Sequence, residues 1–287
     1  MKPSLFDYVA PRTVEEAVSL LKDDAGAMIL AGGQSLIPAM NMRLASPSRL
    51  IDIQNIPGLA HITVANGKIA VGAMARHREV ELNDGVAAAN PVLRAALGHV
   101  AHIPIRNRGT VVGSLCHADA AAEMPMILVL TGGSVLVAGP DGRREIAADD
   151  FFQFHMTTSR QPDEMVVEAH FPVLPPRAGF AFEEFTRRHG DYAIAAAGCI
   201  LARNAAGVVE TVALAACGIS SKPLRLAAAE KILAGSRLTA ADIKAASEAA
   251  CTSVTASDDM HATAGYRRHL FAALVRRAVE NAAARAQ

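Results

Sequence analysis

The apolar positions of the first half of the chain switch repeatedly between helical spacing and short continuous runs. Val14, Ala17, Val18 and Leu21 fall on one helical face, and Thr13-Val14-Glu15-Glu16 ahead of them has the form of a capping box. Met28-Ile29-Leu30-Ala31 reads as a buried strand that passes directly into Gly32-Gly33. A short helix over Leu36 to Leu44 and a second strand at Leu50-Ile51-Asp52-Ile53 follow. Strand, loop, helix and strand in so short a stretch indicate a small α/β lobe with parallel pairing.

The next stretch is richer in hairpins. Asn66-Gly67 separates His61-Ile62-Thr63-Val64 from Lys68-Ile69-Ala70-Val71 and favours a type I′ turn. Apolar spacing from Asn90-Pro91 to about Ala101 is helical, with Pro91 in the permitted first turn. Asp119 is placed to cap a helix of Ala120 to Leu130. Pro140-Asp141-Gly142 turns a hairpin between Ser134–Val137 and Glu145-Ile146, and Glu164 to Phe171 is a strand ended by Pro172.

Three prolines in Pro172-Val173-Leu174-Pro175-Pro176 break both helix and sheet, and the pattern changes after them. Phe180–Arg187, Ala193–Ala202 and Val208–Cys217 read as three antiparallel strands. Helices follow at Leu224–Leu233, at Ala240–Cys251 behind a Thr239 cap, and from about Gly265 to Ala284. The fold class expected is α+β, in three units: residues 1–57, 58–176 and 177–287.

Composition narrows the function classes. With 51% apolar and 20% charged residues the 287-residue chain is globular, with room for domains of about 100–200 residues. Lys+Arg and Asp+Glu balance at 28 each, which gives no electrostatic reason for nucleic acid or an anionic membrane as partner. Cys116, Cys199, Cys217 and Cys251 form no CxxC pair, so an iron–sulfur cluster on this chain alone is not expected, and buried reduced thiols are. Neither a signal-peptide core nor an apolar run of about 18 residues is visible, and a soluble cytoplasmic protein is expected.

Two glycine-containing stretches carry the candidate chemistry. Gly32-Gly33, between strand and helix, would expose backbone amides to an anion, with Gln34 and Ser35 adding side-chain donors; a tight structural turn explains it equally. Gly109, Thr110, Gly113 and Ser114, flanked by Arg106 and Arg108, have the same two readings, anion site or solvated basic turn. Together they suit a diphosphate shared between loops. Neither matches GxGxxG or GxxxxGK[ST]. Asp119 has a capping role available, Glu123 could sit on the surface or accept from a sugar hydroxyl, and Asp163-Glu164 reads as a turn. Tyr192, one of three tyrosines, has core packing as its default.

Motif order adds a family. Ala31-Gly32-Gly33-Gln34-Ser35-Leu36-Ile37-Pro38 with Met42-Arg43-Leu44 resembles the first flavin motif of the medium subunit of aerobic carbon monoxide dehydrogenase. Ile105-Arg106-Asn107-Arg108-Gly109-Thr110 through Ser114-Leu115-Cys116-His117-Ala118-Asp119 resembles the second, and Phe182 through Ala193 is similar to the start of that family's C-terminal domain. The resemblance covers nearly the whole chain. It implies an FAD-binding subunit of a molybdenum hydroxylase of the xanthine dehydrogenase type. The implied fold is two p-cresol methylhydroxylase-type subdomains with FAD between them, then a C-terminal flavoprotein domain. It implies a large partner chain with the molybdenum cofactor, a small one with two [2Fe-2S] clusters, and a dimer of heterotrimers. Electrons would pass from the clusters to this flavin and on to an external acceptor.

Carried over by motif, Ala31, Gly32, Gly33, Gln34 and Ser35, closed by Leu36, and Thr110, Val112, Gly113 and Ser114 would wrap the FAD diphosphate. Glu123 would bond ribityl or ribose hydroxyls, Tyr192 would stand beside the isoalloxazine, Val166 would pack near the adenine, and His117 and Asp119 would line the site. No residue is expected to be catalytic toward the organic substrate, and no metal is expected on this chain. Val112 stands where the motif usually has glycine and gives up backbone freedom there; Ala120, Phe154 and Arg160 replace a proline, a glycine and a leucine. Two other classes remain: a free-standing FAD-dependent oxidoreductase, and a non-catalytic assembly protein of the same fold.

Overall fold

The computed structural model describes residues 2–286. Its first unit contains β1 (Asp7–Val9), α1 (Val14–Asp23), β2 (Ala27–Leu30), α2 (Leu36–Asn41) and β3 (Arg49–Asp52). The three strands form a parallel sheet in the order β1-β3-β2. Thr13 Oγ1 accepts from Glu16 N at 3.1 Å, as a capping box requires, whereas the Glu16 carboxylate accepts from Arg12 N at 2.8 Å, one residue earlier than expected. Ala17, Val18 and Leu21 of α1 are buried.

The second unit runs through β4 (Ile62–Ala65), β5 (Lys68–Gly72), α3 (His77–Leu82), α4 (Asp84–Ala89), α5 (Pro91–Leu97), α6 (Ile103–Arg106), α7 (Val111–His117) and α8 (Glu123–Thr131). It continues with β6 (Ser134–Gly139), β7 (Gly142–Ala147), α9 (Ala148–Phe151), a small β8 (Phe152–Phe154) and β9 (Thr157–Thr158) ribbon, and β10 (Met165–Pro172). Its main sheet is antiparallel in the order β4-β5-β10-β6-β7. Asn66 (φ 52°) and Gly67 (φ 74°) both take positive φ, as the type I′ hairpin demands.

Two elements here depart from the sequence pattern. The second glycine-containing stretch is no open loop: residues 111–117 are helix, capped by Thr110. The helix expected from Ala120 begins at Glu123, and Asp119 does not cap it. Pro125 explains the shift. Starting at Glu123 puts this proline in the first turn, where its missing N–H costs no bond; starting at Ala120 would put it in the interior. Asp119 Oδ1 instead accepts from Ala121 N at 2.8 Å within the turn that precedes the helix.

The third unit comprises β11 (Gly179–Phe185), β12 (Ala195–Arg203), β13 (Val209–Cys217), β14 (Leu224–Arg225), α10 (Ala227–Leu233), α11 (Ala240–Thr252) and α12 (Ala264–Arg285). The antiparallel sheet has four strands in chain order, not three. Leu224 and Arg225 pair with Ala216 and Ala215, so α10 starts later than helical spacing suggested. The Thr239 capping box forms, with Asp242 as its reciprocal acceptor.

Small residues in β12 have a packing reason. Ala195, Ala197 and Cys199 face the core under α12, with Phe271, Val275 and Ala278, while Ala196 and Ile200 face the core shared with α8. A helix covers each face of this sheet, and short side chains let both approach. The Leu130 and Met126 side chains of α8 come directly against Gly198. One face of the third unit is thereby part of the main core, which joins all three units. Of the four cysteines, Cys199 and Cys217 are buried, Cys251 is half-buried and Cys116 is exposed, so burial does not hold for all of them.

Candidate functional site

The two glycine-containing stretches meet. A β-carbon built on Gly32 would lie 2.5 Å from the Arg108 carbonyl oxygen, 2.7 Å from Gly109 Cα and 3.0 Å from Thr110 N. Only glycine permits this backbone contact. Gly33 has φ +71°, the left-handed region that L side chains avoid, and its carbonyl accepts from Ile37 N at 3.1 Å to open α2. A cavity of about 370 Å³ lies against the first loop, lined by residues 30–34, Ile37, Pro38 and Arg108.

The backbone amides at this cavity decide what it can hold. Among the described residues, the N–H groups of Gly32, Gly33, Gln34 and Ser35 donate to no backbone carbonyl or side chain. Gln34 Nε2 donates to Gly32 O at 3.3 Å, which braces the turn from its other side. Four consecutive free donors with an arginine beside them fit an anionic group such as the diphosphate of FAD.

Thr110 and its neighbours play a different part. Gly113 N donates to Thr110 Oγ1 at 3.0 Å, Ser114 N to Thr110 O at 3.1 Å and Val111 N to Ala75 O at 3.3 Å. These amides are used inside the protein, and Thr110 is only 2% exposed. Val112 sits in the first turn of α7, its side chain in the main core at 3% exposure, so the absent glycine costs this helical position nothing. Ser114 is half-buried on the same helix.

The flanking arginines also divide. Arg106 is buried, its Nε on Glu81 Oε2 at 2.9 Å and its Nη1 on the Val100 and Ala101 carbonyls at 2.8 and 3.2 Å. It braces the turn and offers no charge to the cleft. Arg108 lines the cavity, and Arg76 Nη1 donates to the Arg108 carbonyl. Burial and the Arg108 charge hold the Arg76 guanidinium below its usual value. Sequence reasoning missed Arg76; no motif marks it, and only its bridge to Thr110 brings it here.

A second group gathers at Tyr192. The residue is 54% exposed, so core packing is not its role. Burial first, and then the charges of Asp119 and Glu123, push its hydroxyl up to about 12, with Ser35 opposing. Glu123 is 5% exposed at the start of α8, and burial, followed by the charge of Glu184, raises it to about 8. At neutral pH it carries its proton and can both donate to and accept from a sugar hydroxyl. Asp119 is buried in the turn that docks on β13, where Gly218 N donates to Ala120 O at 2.8 Å. Burial lowers the His117 imidazole, against the pull of Asp119.

The structure thus brings the first loop, Thr110, Ser35, Asp119, Glu123, Tyr192 and His117 to one region. Ala31 lines the cavity, and Leu36 begins α2, half-buried. Val166 is not brought there: in β10, opposite Val137, it is 3% exposed within the main core.

Comparison with known proteins gives the family. Residues 4–174 match the FAD-binding domain found in molybdopterin dehydrogenases, and residues 180–282 match the C-terminal domain of carbon monoxide dehydrogenase flavoproteins. The chain is 40% identical to the alpha subunit of the 6-hydroxypseudooxynicotine dehydrogenase complex of Paenarthrobacter nicotinovorans, covering 100% of this chain and 97% of that one. It is also 40% identical to the nicotine 6-hydroxylase medium subunit of the same organism, over 99% of this chain and all of the relative. The solved carbon monoxide dehydrogenase of Hydrogenophaga pseudoflava superposes with a TM-score of 0.97 at 34% identity, covering 100% of both chains. The chain belongs to the FAD-binding medium subunits of the carbon monoxide dehydrogenase and xanthine dehydrogenase family of molybdenum hydroxylases, and is an oxidoreductase subunit.

Proposed function

We propose that this chain holds FAD in the cleft described above and serves as the electron-output subunit of a heteromeric molybdenum hydroxylase. The single observation that carries this reading is the run of four unbonded amides, Gly32 to Ser35, of which Gly32, Gly33 and Gln34 line a cavity with Arg108. In this reading the amides of residues 32–35 and the guanidinium of Arg108 bind the diphosphate. Glu123 orients a hydroxyl of the ribityl chain or ribose. Tyr192 covers the ring, and His117 and Asp119 shape the wall between. Thr110, Val112, Gly113 and Ser114 support the first loop from behind. Bound FAD supplies the redox chemistry, and the protein supplies position and electrostatics.

A large subunit with the molybdenum cofactor and a small subunit with two [2Fe-2S] clusters complete the proposed complex, as a dimer of heterotrimers in the cytoplasm. Names of relatives that include "medium subunit" and "complex subunit alpha" support such a division of labour. The three units are bounded at residues 57 and 176 in this reading. Among the described residues no helix is long and apolar enough to cross a membrane.

Rapid mixing of the purified complex with its reducing substrate tests the direction of flow. The cluster absorbance should bleach first and the flavin absorbance follow, with external acceptor restoring the flavin. Flavin that stays oxidised while the clusters remain reduced would overturn the proposal.

A further inference from the structure

Arg267 stands in the first turn of α12 with its side chain only 8% exposed. Three segments far apart in sequence meet on its guanidinium. Nη1 donates to Ile194 O at 2.6 Å and to Gly218 O at 3.1 Å, and Nη2 donates to the Asp259 carboxylate. The two carbonyls lie just beyond the Ala196–Cys217 pair, where the register between β12 and β13 ends. A buried carbonyl left without a donor is costly, and here one guanidinium serves both strand ends. The planar fork of arginine suits that bridge; a lysine ammonium is a point donor on a flexible stem and cannot hold all three partners in this geometry.

Both carbonyls belong to backbone that carries residues of the cleft. Ile194 ends the stretch that holds Tyr192, and its own N–H donates to Phe185 O at 2.9 Å, so its amide and its carbonyl are both tied down. Gly218 N donates to Ala120 O at 2.8 Å, in the turn that contains Asp119. Gly218 has φ +72°, and a β-carbon on it would lie 2.7 Å from Ala193 O, so its backbone packs directly on the residue next to Tyr192. The Tyr192 stretch, the Asp119 turn and the start of α12 thus share one hydrogen-bonded joint. Asp259 holds the guanidinium from the far side while its Oδ1 accepts from His261 N at 2.8 Å and Ala262 N at 2.9 Å. Burial works against its charge, yet Arg267 and those two amides keep the carboxyl down to about 2.

We propose that Arg267 is a positioning residue for the flavin site: by bridging Ile194 O and Gly218 O it sets where the Tyr192 ring and the Asp119 turn stand against the cleft. The proposal rests on the reading that FAD fills that cleft with Tyr192 over its ring. Arg267 touches no cofactor and acts through the backbone at Ala193, Ile194 and Gly218. The diphosphate grip at residues 32–35 and Arg108 belongs to the first two units and does not pass through this joint. Loosening the joint therefore frees the cover of the ring while the cofactor stays bound.

Emission from FAD bound to the full-length chain tests this, because a tyrosine ring in contact with a flavin quenches its fluorescence. Tyr192→Ala should raise the emission of bound FAD severalfold. Arg267→Lys should keep close to one FAD per chain and show at least half of that rise. In a Tyr192→Ala background the same change should add nothing, since both substitutions then act on one contact. Asp259→Asn, whose side chain is 44% exposed, should give a smaller rise of the same sign with full flavin content. Wild-type emission in folded, flavin-loaded Arg267→Lys overturns the proposal, as does an equal rise with and without Tyr192. A folded Arg267→Lys chain that loses its FAD overturns it too, because the joint would then hold the site as a whole. Should Arg267→Lys not fold, wild-type emission in Asp259→Asn overturns it in its place. Failure of the cleft reading shows separately, as a wild-type chain that takes up no flavin or a Tyr192→Ala chain with unchanged emission.

Discussion

The first and second glycine-containing stretches look alike in sequence and do opposite work. Residues 32–35 leave their amides unbonded, the first three of them at a cavity. Val111, Gly113 and Ser114 use theirs inside the protein, with Thr110 Oγ1 taking the Gly113 amide at 3.0 Å. One loop presents donors and the other props it up. Their arginines divide in the same way, Arg108 at the cavity and Arg106 buried on Glu81. Glycine in a sequence therefore marks where backbone can approach something, without saying whether that something is a ligand or another loop. Here Gly32 approaches the second loop itself.

Substitutions can break this contrast. Gly32→Val should have the largest effect, because its β-carbon would need the space held by the Arg108 carbonyl and Gly109. The loops must separate, and flavin content should fall to near zero in the folded protein; normal content would show that their contact is not needed. Arg106→Gln should cost roughly 3 kcal/mol of stability by leaving buried polar partners unmet, while the protein that does fold keeps its FAD affinity. Arg108→Gln should do the reverse, weakening FAD binding about tenfold with stability changed by less than about 0.5 kcal/mol. Denaturant melts and fluorescence titration with FAD separate the two, and equal effects in both assays would erase the distinction. Thr110→Ala should have the smallest effect, about 1 kcal/mol from the lost cap of α7, with FAD binding nearly unchanged. A large loss of FAD in that variant would give the second loop a direct role.

The first unit and the opening hairpin of the second were legible because their signals are local. A strand, two glycines and a helix had to turn where Gly33 now takes φ +71°, and Asn66-Gly67 had to make a hairpin. The second loop was not legible as helix. Gly113 and Ser114 read as donors of an anion site or part of a basic turn, whereas the Thr110 cap and the buried faces of Val111, Val112 and Leu115 make the stretch helical. Asp119 misled for a related reason: an Asp before an apolar run looks like a cap, but Pro125 fixes where α8 can begin. Tyr192 was legible through the resemblance alone, since its own neighbours in sequence read as core packing, whereas the residue is 54% exposed. Arg76 and Glu184 carry no motif and enter through strand pairing and sheet face alone.

Flavin binding by the isolated chain tests the central claim most directly. The purified wild-type chain, incubated with FAD and freed of unbound cofactor, should retain close to one FAD per chain, released intact on acid denaturation because no covalent link holds it. A folded chain that stays colourless would contradict the account.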